Sequence, residues 1–323
     1  MNKLKAGIVG AAGYTGGELI RILLNHPNIE VTYASSRSQA GKLVTTVHDD
    51  LIGQTNLSFS DDYNIDVDVV FICLPHGHSR DFLQKVTLPS DTIIIDLSND
   101  FRLHSDAGEF IYGLPELNKN AIKEANKIAN PGCFATAIQL ALLPLAANNL
   151  LTDEIHISAI TGSTGAGVKP LSTTHFTWRN NNMSVYKAFQ HQHLGEIKQS
   201  ITQLQAGFKE SVNFIPYRGD FTRGIIATVY TDFKKSEEEA YALYGRFYNN
   251  APFVHLSKEN IHLKQVVNTN NNLLHLEVHD GKLMIISILD NLLKGAGGQA
   301  VQNLNIRMGW AEDLGLKLKA VMF

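Results

Sequence analysis

The stretch GIVGAAGYTGGEL, residues 7–19, decides the fold. An apolar run, KAGIVG, leads into it, and YTGGELIRILLNHP leaves it with helical spacing that stops at Pro27. Between strand and helix stand Gly10, Gly13 and Gly16, spaced G-x-x-G-x-x-G. Glycine lets backbone N–H groups approach a pyrophosphate, and a helix start gives them partial positive charge. Strand, glycine turn and helix in that order predict a dinucleotide-binding βαβ unit, with Tyr14 and Thr15 joining the glycines at the cofactor.

Outward from that turn the alternation continues. IEVTYAS reads as a strand, and VDVVFICLP and TIIIDLS as β-rich runs buried on both faces, with the helical HSRDFLQKV between them. This predicts a Rossmann-type, doubly wound parallel sheet up to about residue 130. An acidic residue at the end of the second strand would hold the ribose 2′-hydroxyl of NAD. The sequence has ASSRSQAGK there, and Ser35, Ser36, Arg37 and Ser38 suit a 2′-phosphate, which arginine grips with a bidentate fork. NADP(H) is expected over NAD.

Past residue 130 the pattern changes. EIHISAIT, SVNFIPY, GIIATVYTDF, LLHLEVHD and KLMIISILD include several runs with period-two alternation, which predicts a mostly antiparallel sheet with helices on one side, an α+β domain. SEEEAYALYGRFYNN, 236–250, opens with a capping box, Ser236 three residues before Glu239. The asparagine runs at 180–182 and 270–272 read as exposed turns, and GAGGQAVQNLNIRMGW as a glycine-led helix that returns to the first domain. The expected division is 1–132 for the cofactor domain, with a helix over 300–323 returning to it, and 133–299 for the second domain.

Composition narrows the function. The 323 residues exceed one ordinary core; 44% are apolar, 18% are charged and the net charge is −3. With no basic run, nucleic acid and membrane surfaces are poor partners, and no apolar stretch is long enough to span a bilayer. The start of the chain lacks a signal-peptide pattern, so a cytoplasmic location is expected. Of the two cysteines, Cys73 lies in an apolar strand run and reads as packing.

Cys133 differs. In ANPGCFATAIQL, residues 129–140, it opens a nearly all-apolar helix behind a Pro131–Gly132 turn. Unpaired N–H groups and the positive end of a helix favour thiolate over thiol, so Cys133 reads as a nucleophile. Its proton-transfer partner is sought in HQHLGEI, where His191 or His193 is the acid–base and Glu196 orients an imidazole or stabilises an imidazolium. H-x-H-x-x-E also resembles metal-ligand spacing, but no further His/Cys cluster completes a zinc site, and no metal is expected. Ser163 and Gly165 in GSTGAG lie where backbone would approach ligand or cofactor, and Gln299 and Asn303 share a helix face that would meet the nicotinamide carboxamide.

Taken together, GIVGAAGYTGGEL, LPHGHS, DLSNDFRL, YGLPEL, NPGCFATA, GSTGAG, HQHLGEI and LKGAGGQAVQNLN resemble the N-acetyl-γ-glutamyl-phosphate reductases of arginine biosynthesis, relatives of the aspartate-semialdehyde dehydrogenases, nearly end to end. HQHLGEI stands where that family usually has HRHxPEI, with Gln192 and Gly195 in place of Arg and Pro. The resemblance implies an NADP domain, a dimerising catalytic domain, a homodimer or homotetramer, and Cys133 as nucleophile. The expected reaction passes from an anionic acyl phosphate through a Cys133 thioester to an aldehyde. Such a substrate needs cations, and Arg102, Arg218 and Arg223 are the candidates, Arg102 for phosphate by analogy with the dehydrogenases. The acyl cap stays open between acetyl, succinyl and others. Aspartate-semialdehyde dehydrogenase, a cysteine hydrolase and a non-catalytic NADP sensor are the competing readings.

Overall fold

The computed structural model describes residues 3–62 and 65–322. The chain divides into two compact units, Met1–Pro131 with Ala296–Lys317, and Gly132–Gly295 with Leu318–Phe323.

The first unit contains β1 (Leu4–Val9), α1 (Tyr14–Leu23), β2 (Ile29–Ser35), β3 (Val69–Ile72), α2 (Ser79–Lys85), β4 (Ile93–Asp96), β5 (Ile111–Tyr112), α3 (Pro115–Glu124) and β6 (Lys127–Ala129). Its six strands pair in the order β2-β1-β3-β4-β6-β5, every pair parallel. All four residues of both β3 and β4 are buried, as strands covered on both faces require. The strand order reverses at β1, and ligands in such sheets bind beyond the carboxyl ends of the strands at that point, where the glycine turn sits.

The second unit holds α4 (Cys133–Ala146), β7 (Ile155–Thr161), α5 (Phe176–Arg179), β8 (Ser184–Val185), α6 (His193–Leu204), β9 (Val212–Arg218), β10 (Ile225–Asp232), α7 (Glu237–Phe247), β11 (Val254–Ser257), β12 (Asn272–His279) and β13 (Lys282–Leu289). Its seven strands run β11-β12-β13-β10-β7-β9-β8; β11–β12 and β7–β9 are parallel and the rest antiparallel. Helix α4 packs on β10 and β13 and against α6. Thirteen of its residues, Phe134–Ala146, are buried, so it is apolar all round. Pro144 cannot donate to the carbonyl of Leu140, and the Tyr248 hydroxyl donates to it instead at 2.5 Å. The Ser236 capping box forms as read, each partner bonding the other's backbone N–H.

Two expectations are corrected. Asn270 and Asn272 are buried rather than exposed; Asn272 opens β12 and its amide donates to Ser287 Oγ at 2.9 Å and to the Ile288 carbonyl at 3.0 Å. The returning helix, α8, spans Gly297–Arg307 and not 300–323. Gly309, at φ +70°, ends it: Trp310 N–H bonds to Asn305 O and Gly309 N–H to Ile306 O, a Schellman stop that only a left-handed residue allows. Phe323 lies outside the described residues. Within the first unit α8 packs on α1 and α3.

Candidate active site

In the first unit the glycine turn is built to admit an anion. Gly10 has φ +81°, and a Cβ there would lie 2.7 Å from the Cys73 carbonyl oxygen. A Cβ at Gly16 would lie 2.6 Å from Ala11 Cα, so the turn and α1 touch backbone to backbone. Gly13 caps α1 with no side chain, and no acidic residue occupies the first turn. The first N–H groups of a helix lack intrahelical acceptors, and this arrangement fits a pyrophosphate. His48 braces the turn, its Nε2 2.8 Å from the Ala11 carbonyl. Tyr14 is exposed and Thr15 half-buried at the start of α1.

Ser35 is not available to a 2′-phosphate. It is buried; its Oγ accepts Gly10 N–H at 3.4 Å and its carbonyl accepts Ala11 N–H at 2.8 Å, so it latches the glycine turn to β2. Ser36, with its Oγ 3.4 Å from that of Ser38, and exposed Arg37 and Ser38 follow directly, and this loop fits a phosphate rather than a ribose diol. Arg102 is likewise turned inward. Its Nε donates to Asn130 O and its Nη2 to Leu97 O, both at 2.8 Å, which fixes the ends of β4 and β6. Asn303 is fully buried, and its amide donates to Gly113 O at 2.8 Å and Asn130 Oδ1 at 3.1 Å. Those bonds, not a nicotinamide, occupy the amide that the helix-face reading assigned to the cofactor. Gln299 is also fully buried. Burial, then the nearby charge of Asp96, pushes the Cys73 thiol far up, so that sulfur is held as an unreactive thiol.

In the second unit Cys133 is the first residue of α4 and is partly exposed. Gly132 caps the helix without a side chain, and Glu196 Oε2 accepts the Gly132 N–H at 2.9 Å. A Cβ at Gly132 would collide with the His193 ring, which therefore packs against the residue that precedes Cys133. His193 Nε2 is 3.9 Å from Glu196 Oε1. His191 Nδ1 accepts the His193 N–H at 3.2 Å, so neutral His191 carries its proton on Nε2. Both imidazoles are buried against Phe134, and His191 also meets Phe214 and Tyr186 edge-on. Gln139, buried inside α4, locks this arrangement by donating to Glu196 O at 2.9 Å and Ser200 Oγ at 2.8 Å.

Tyr186 was not foreseen. Burial, then the charge of Cys133, pushes its phenol up to about 12, against a hydrogen bond from Arg218. The Arg218 guanidinium lies 4.7 Å from the Tyr186 ring centroid, and its Nε is buried with no hydrogen-bond partner. A lone tyrosine in SVYKAF carries no sequence signal of that role. Arg223 departs from expectation: its Nε donates to Asp290 Oδ2 at 3.1 Å and its Nη2 lies 3.0 Å from the same oxygen, an ion pair with a fully buried carboxylate. Ser163, half-buried, spends its N–H on Phe221 O at 2.8 Å, and Gly165 is exposed. Gln192 caps α6 and accepts from Lys187 Nζ at 3.1 Å.

Residues 5–125 match the family model of the semialdehyde dehydrogenase NAD binding domain, and residues 133–291 that of the semialdehyde dehydrogenase dimerisation domain. Fold and site thus define an oxidoreductase of the semialdehyde dehydrogenase class. Proteins named N-acetyl-gamma-glutamyl-phosphate reductase resemble the chain end to end. The one from Bacteroides thetaiotaomicron is 56% identical over 321 residues, covering 99% of this chain and 100% of the relative. That from Christiangramia forsetii is 55% identical over 320 residues, with 99% and 100% covered. The chain belongs to this reductase family. Among solved structures, aspartate semialdehyde dehydrogenase II from Vibrio cholerae superposes with a TM-score of 0.74 at 15% identity, over 95% of this chain and 99% of that one. Aspartate semialdehyde dehydrogenase with NADP from Candida albicans gives 0.71 at 14%, over 94% and 98%. At such identities they show a shared fold. Among the described residues no helix is long and apolar enough to cross a membrane, and no group of three or more His, Cys, Asp or Glu is arranged to hold a metal ion.

Proposed function

We propose that this chain reduces an N-acyl-γ-glutamyl phosphate, N-acetyl before other caps, to the N-acyl-glutamate 5-semialdehyde and phosphate, using NADPH. The observation that carries it is the placement of Cys133 on the first turn of α4 beside His193, Glu196 and Tyr186. The Cys133 sulfur attacks the acyl carbon, the carbon–oxygen bond to phosphate breaks, and a thioester remains on Cys133. NADPH, when bound, supplies the hydride that a thioester accepts and a carboxylate does not. As the carbonyl of the aldehyde re-forms, the carbon–sulfur bond breaks and Cys133 leaves as thiolate. His191, with its proton on Nε2, is the proton carrier in this reading, and His193 with Glu196 packs at Gly132, where α4 begins. The N–H groups at the start of α4 favour an oxyanion on the reacting carbonyl.

Gly10, Gly13, Tyr14, Thr15 and Gly16 would hold the pyrophosphate, and Ser36, Arg37 and Ser38 the 2′-phosphate, while Ser163 and Gly165 remain candidate backbone contacts. Arg218 is the substrate cation that the geometry favours, because a buried N–H without a partner calls for an anion. We further propose a dimer or tetramer built on the second unit, and a cytoplasmic setting, where both free cysteines stay reduced.

The test runs the reaction backwards. N-acetyl- and N-succinyl-glutamate semialdehyde and aspartate semialdehyde are each assayed with phosphate and either NADP or NAD. Phosphate-dependent reduction of NADP with an N-acyl-glutamate semialdehyde is expected. Activity with aspartate semialdehyde alone, or none with any aldehyde, would overturn the proposal.

A further inference from the structure

Three loops of the second unit interlock beside Cys133. The turn from Asp290 to Gly295 is tied by its own backbone, with Leu293 and Gly295 N–H groups on the Asp290 carbonyl at 3.2 and 2.9 Å. The Asp290 side chain organises the surroundings: Oδ2 accepts from Arg223 and from Asn268 N–H at 2.7 Å, and Oδ1 from Leu292 N–H at 2.8 Å. The next residue reaches both remaining loops. Asn291 Oδ1 accepts Gly224 N–H at 2.8 Å, and its Nδ2 donates to Thr164 Oγ1 at 3.1 Å, which in turn donates to Thr222 O at 2.6 Å. The far end of the turn abuts the nucleophile. A Cβ at Gly295 would stand 2.9 Å from Cys133 Cβ and 2.7 Å from Asn291 O. The wall beside Cys133 is thus set by a buried carboxylate and the arginine paired with it.

We propose that the Arg223–Asp290 ion pair is a positioning device for Cys133, holding the 290–295 turn against the nucleophile and screening the Asp290 charge from its thiolate, and that Arg223 does not bind substrate. This rests on the reading of Cys133 as the nucleophile. Asp290 is fully buried and the turn it organises abuts Cys133, so a carboxylate stripped of its cation disfavours a second anion there. The other charged or titratable groups around Cys133 are the buried Lys294 of the same turn, His193 and Glu196 at Gly132, and Tyr186 with Arg218.

The experiment compares wild type, Arg223→Met, Asp290→Asn and the double variant. Two readouts are taken: the pH midpoint of iodoacetamide alkylation at Cys133, and the separate kcat and KM of the acyl-phosphate reaction. For Arg223→Met the alkylation midpoint is expected to rise by about one pH unit, with kcat down at least about tenfold and KM for the acyl phosphate within about twofold. The double variant should bring the midpoint back to the wild-type value, since the unscreened charge is gone. Arg223→Gln, which removes the charge and keeps a polar side chain, supplies the same comparison if Arg223→Met does not fold. A KM raised tenfold with kcat unchanged would make Arg223 a substrate contact and overturn the proposal. So would an unshifted midpoint with unchanged kinetics. A wild-type protein in which Cys133 resists alkylation would instead count against the nucleophile itself.

Discussion

Tyr186 and Arg218 show how two side chains act as one. The cation lies over the ring, the phenol accepts its hydrogen bond, and burial, then the charge of Cys133, makes deprotonation of that phenol costly. The phenol therefore stays a hydrogen-bond donor throughout the range in which such enzymes work. Tyr186→Phe keeps the ring and loses the acceptor, so Arg218 loses its orientation. A hydrogen bond to a charged group is worth about 2 kcal/mol, so KM for the acyl phosphate should rise roughly tenfold or somewhat more. Steady-state kinetics on the purified variant check this, and an unchanged KM would separate Arg218 from the substrate. That Cys133 would open a helix and meet the histidines and Glu196 was legible in the sequence, because a cysteine at a helix start with paired imidazoles elsewhere is a chemical pattern. Tyr186 and Asp290 were not, since their roles come from Arg218 and Arg223, distant in sequence, which only the fold brings to them.

The elements carry the next layer. The glycine turn joins β1 to α1 by contacts that a methyl group would break. Gly10→Ala forces a left-handed residue to bear a Cβ against the Cys73 carbonyl, at a cost of about 1–3 kcal/mol. It should raise the NADPH dissociation constant at least about tenfold in a fluorescence titration, and a variant that binds NADPH normally would remove the turn from the cofactor site. The loops after β3 and β4 are stapled by Asp100, which accepts Gly77 N–H at 2.6 Å and Arg80 N–H at 3.1 Å. Burial alone would push its carboxyl up, but these N–H donors outweigh burial and hold it below the usual aspartate range. The sign follows from linkage: the contribution is complete above an unfolded aspartate's pKa, near 4, and lost as pH falls through the lower folded value. Asp100→Asn should therefore flatten the loss of stability below pH 4 in an acid titration followed by circular dichroism, and an unaltered acid limb would contradict the assignment. Most strands and helices were readable from apolar runs, caps and glycine. The exceptions are instructive: α8 stops at a Schellman turn around Gly309 whose hydrogen bonds only the fold reveals, and Asn272 is buried at the start of β12 because its amide finds Ser287 and Ile288 on the neighbouring strand.

Over the whole molecule the chain leaves the first unit at Pro131 and returns to it at Ala296. The returning helix is part of that unit's core: Val301, Leu304 and Asn303 are fully buried, and Asn303 satisfies Gly113 and Asn130. Asn303→Ala leaves those acceptors without their donor and should cost about 1–3 kcal/mol, read as a lower urea midpoint with an unchanged slope. A midpoint equal to wild type would mean that α8 contributes little to the unit. Two arginines proposed from sequence as substrate cations, Arg102 and Arg223, turned out to be tied to backbone carbonyls and to a buried carboxylate. A sequence shows that cations are present but not which of them the fold has already matched. The central claim is that acyl transfer to Cys133 precedes reduction. The direct measurement is intact-protein and peptide mass spectrometry after acid quench of the enzyme mixed with N-acetyl-γ-glutamyl phosphate and no NADPH. The account requires one acyl-glutamyl adduct on the peptide containing Cys133, hydroxylamine-labile and absent from Cys133→Ala; an unmodified Cys133 in an enzyme that turns over when NADPH is added would contradict it.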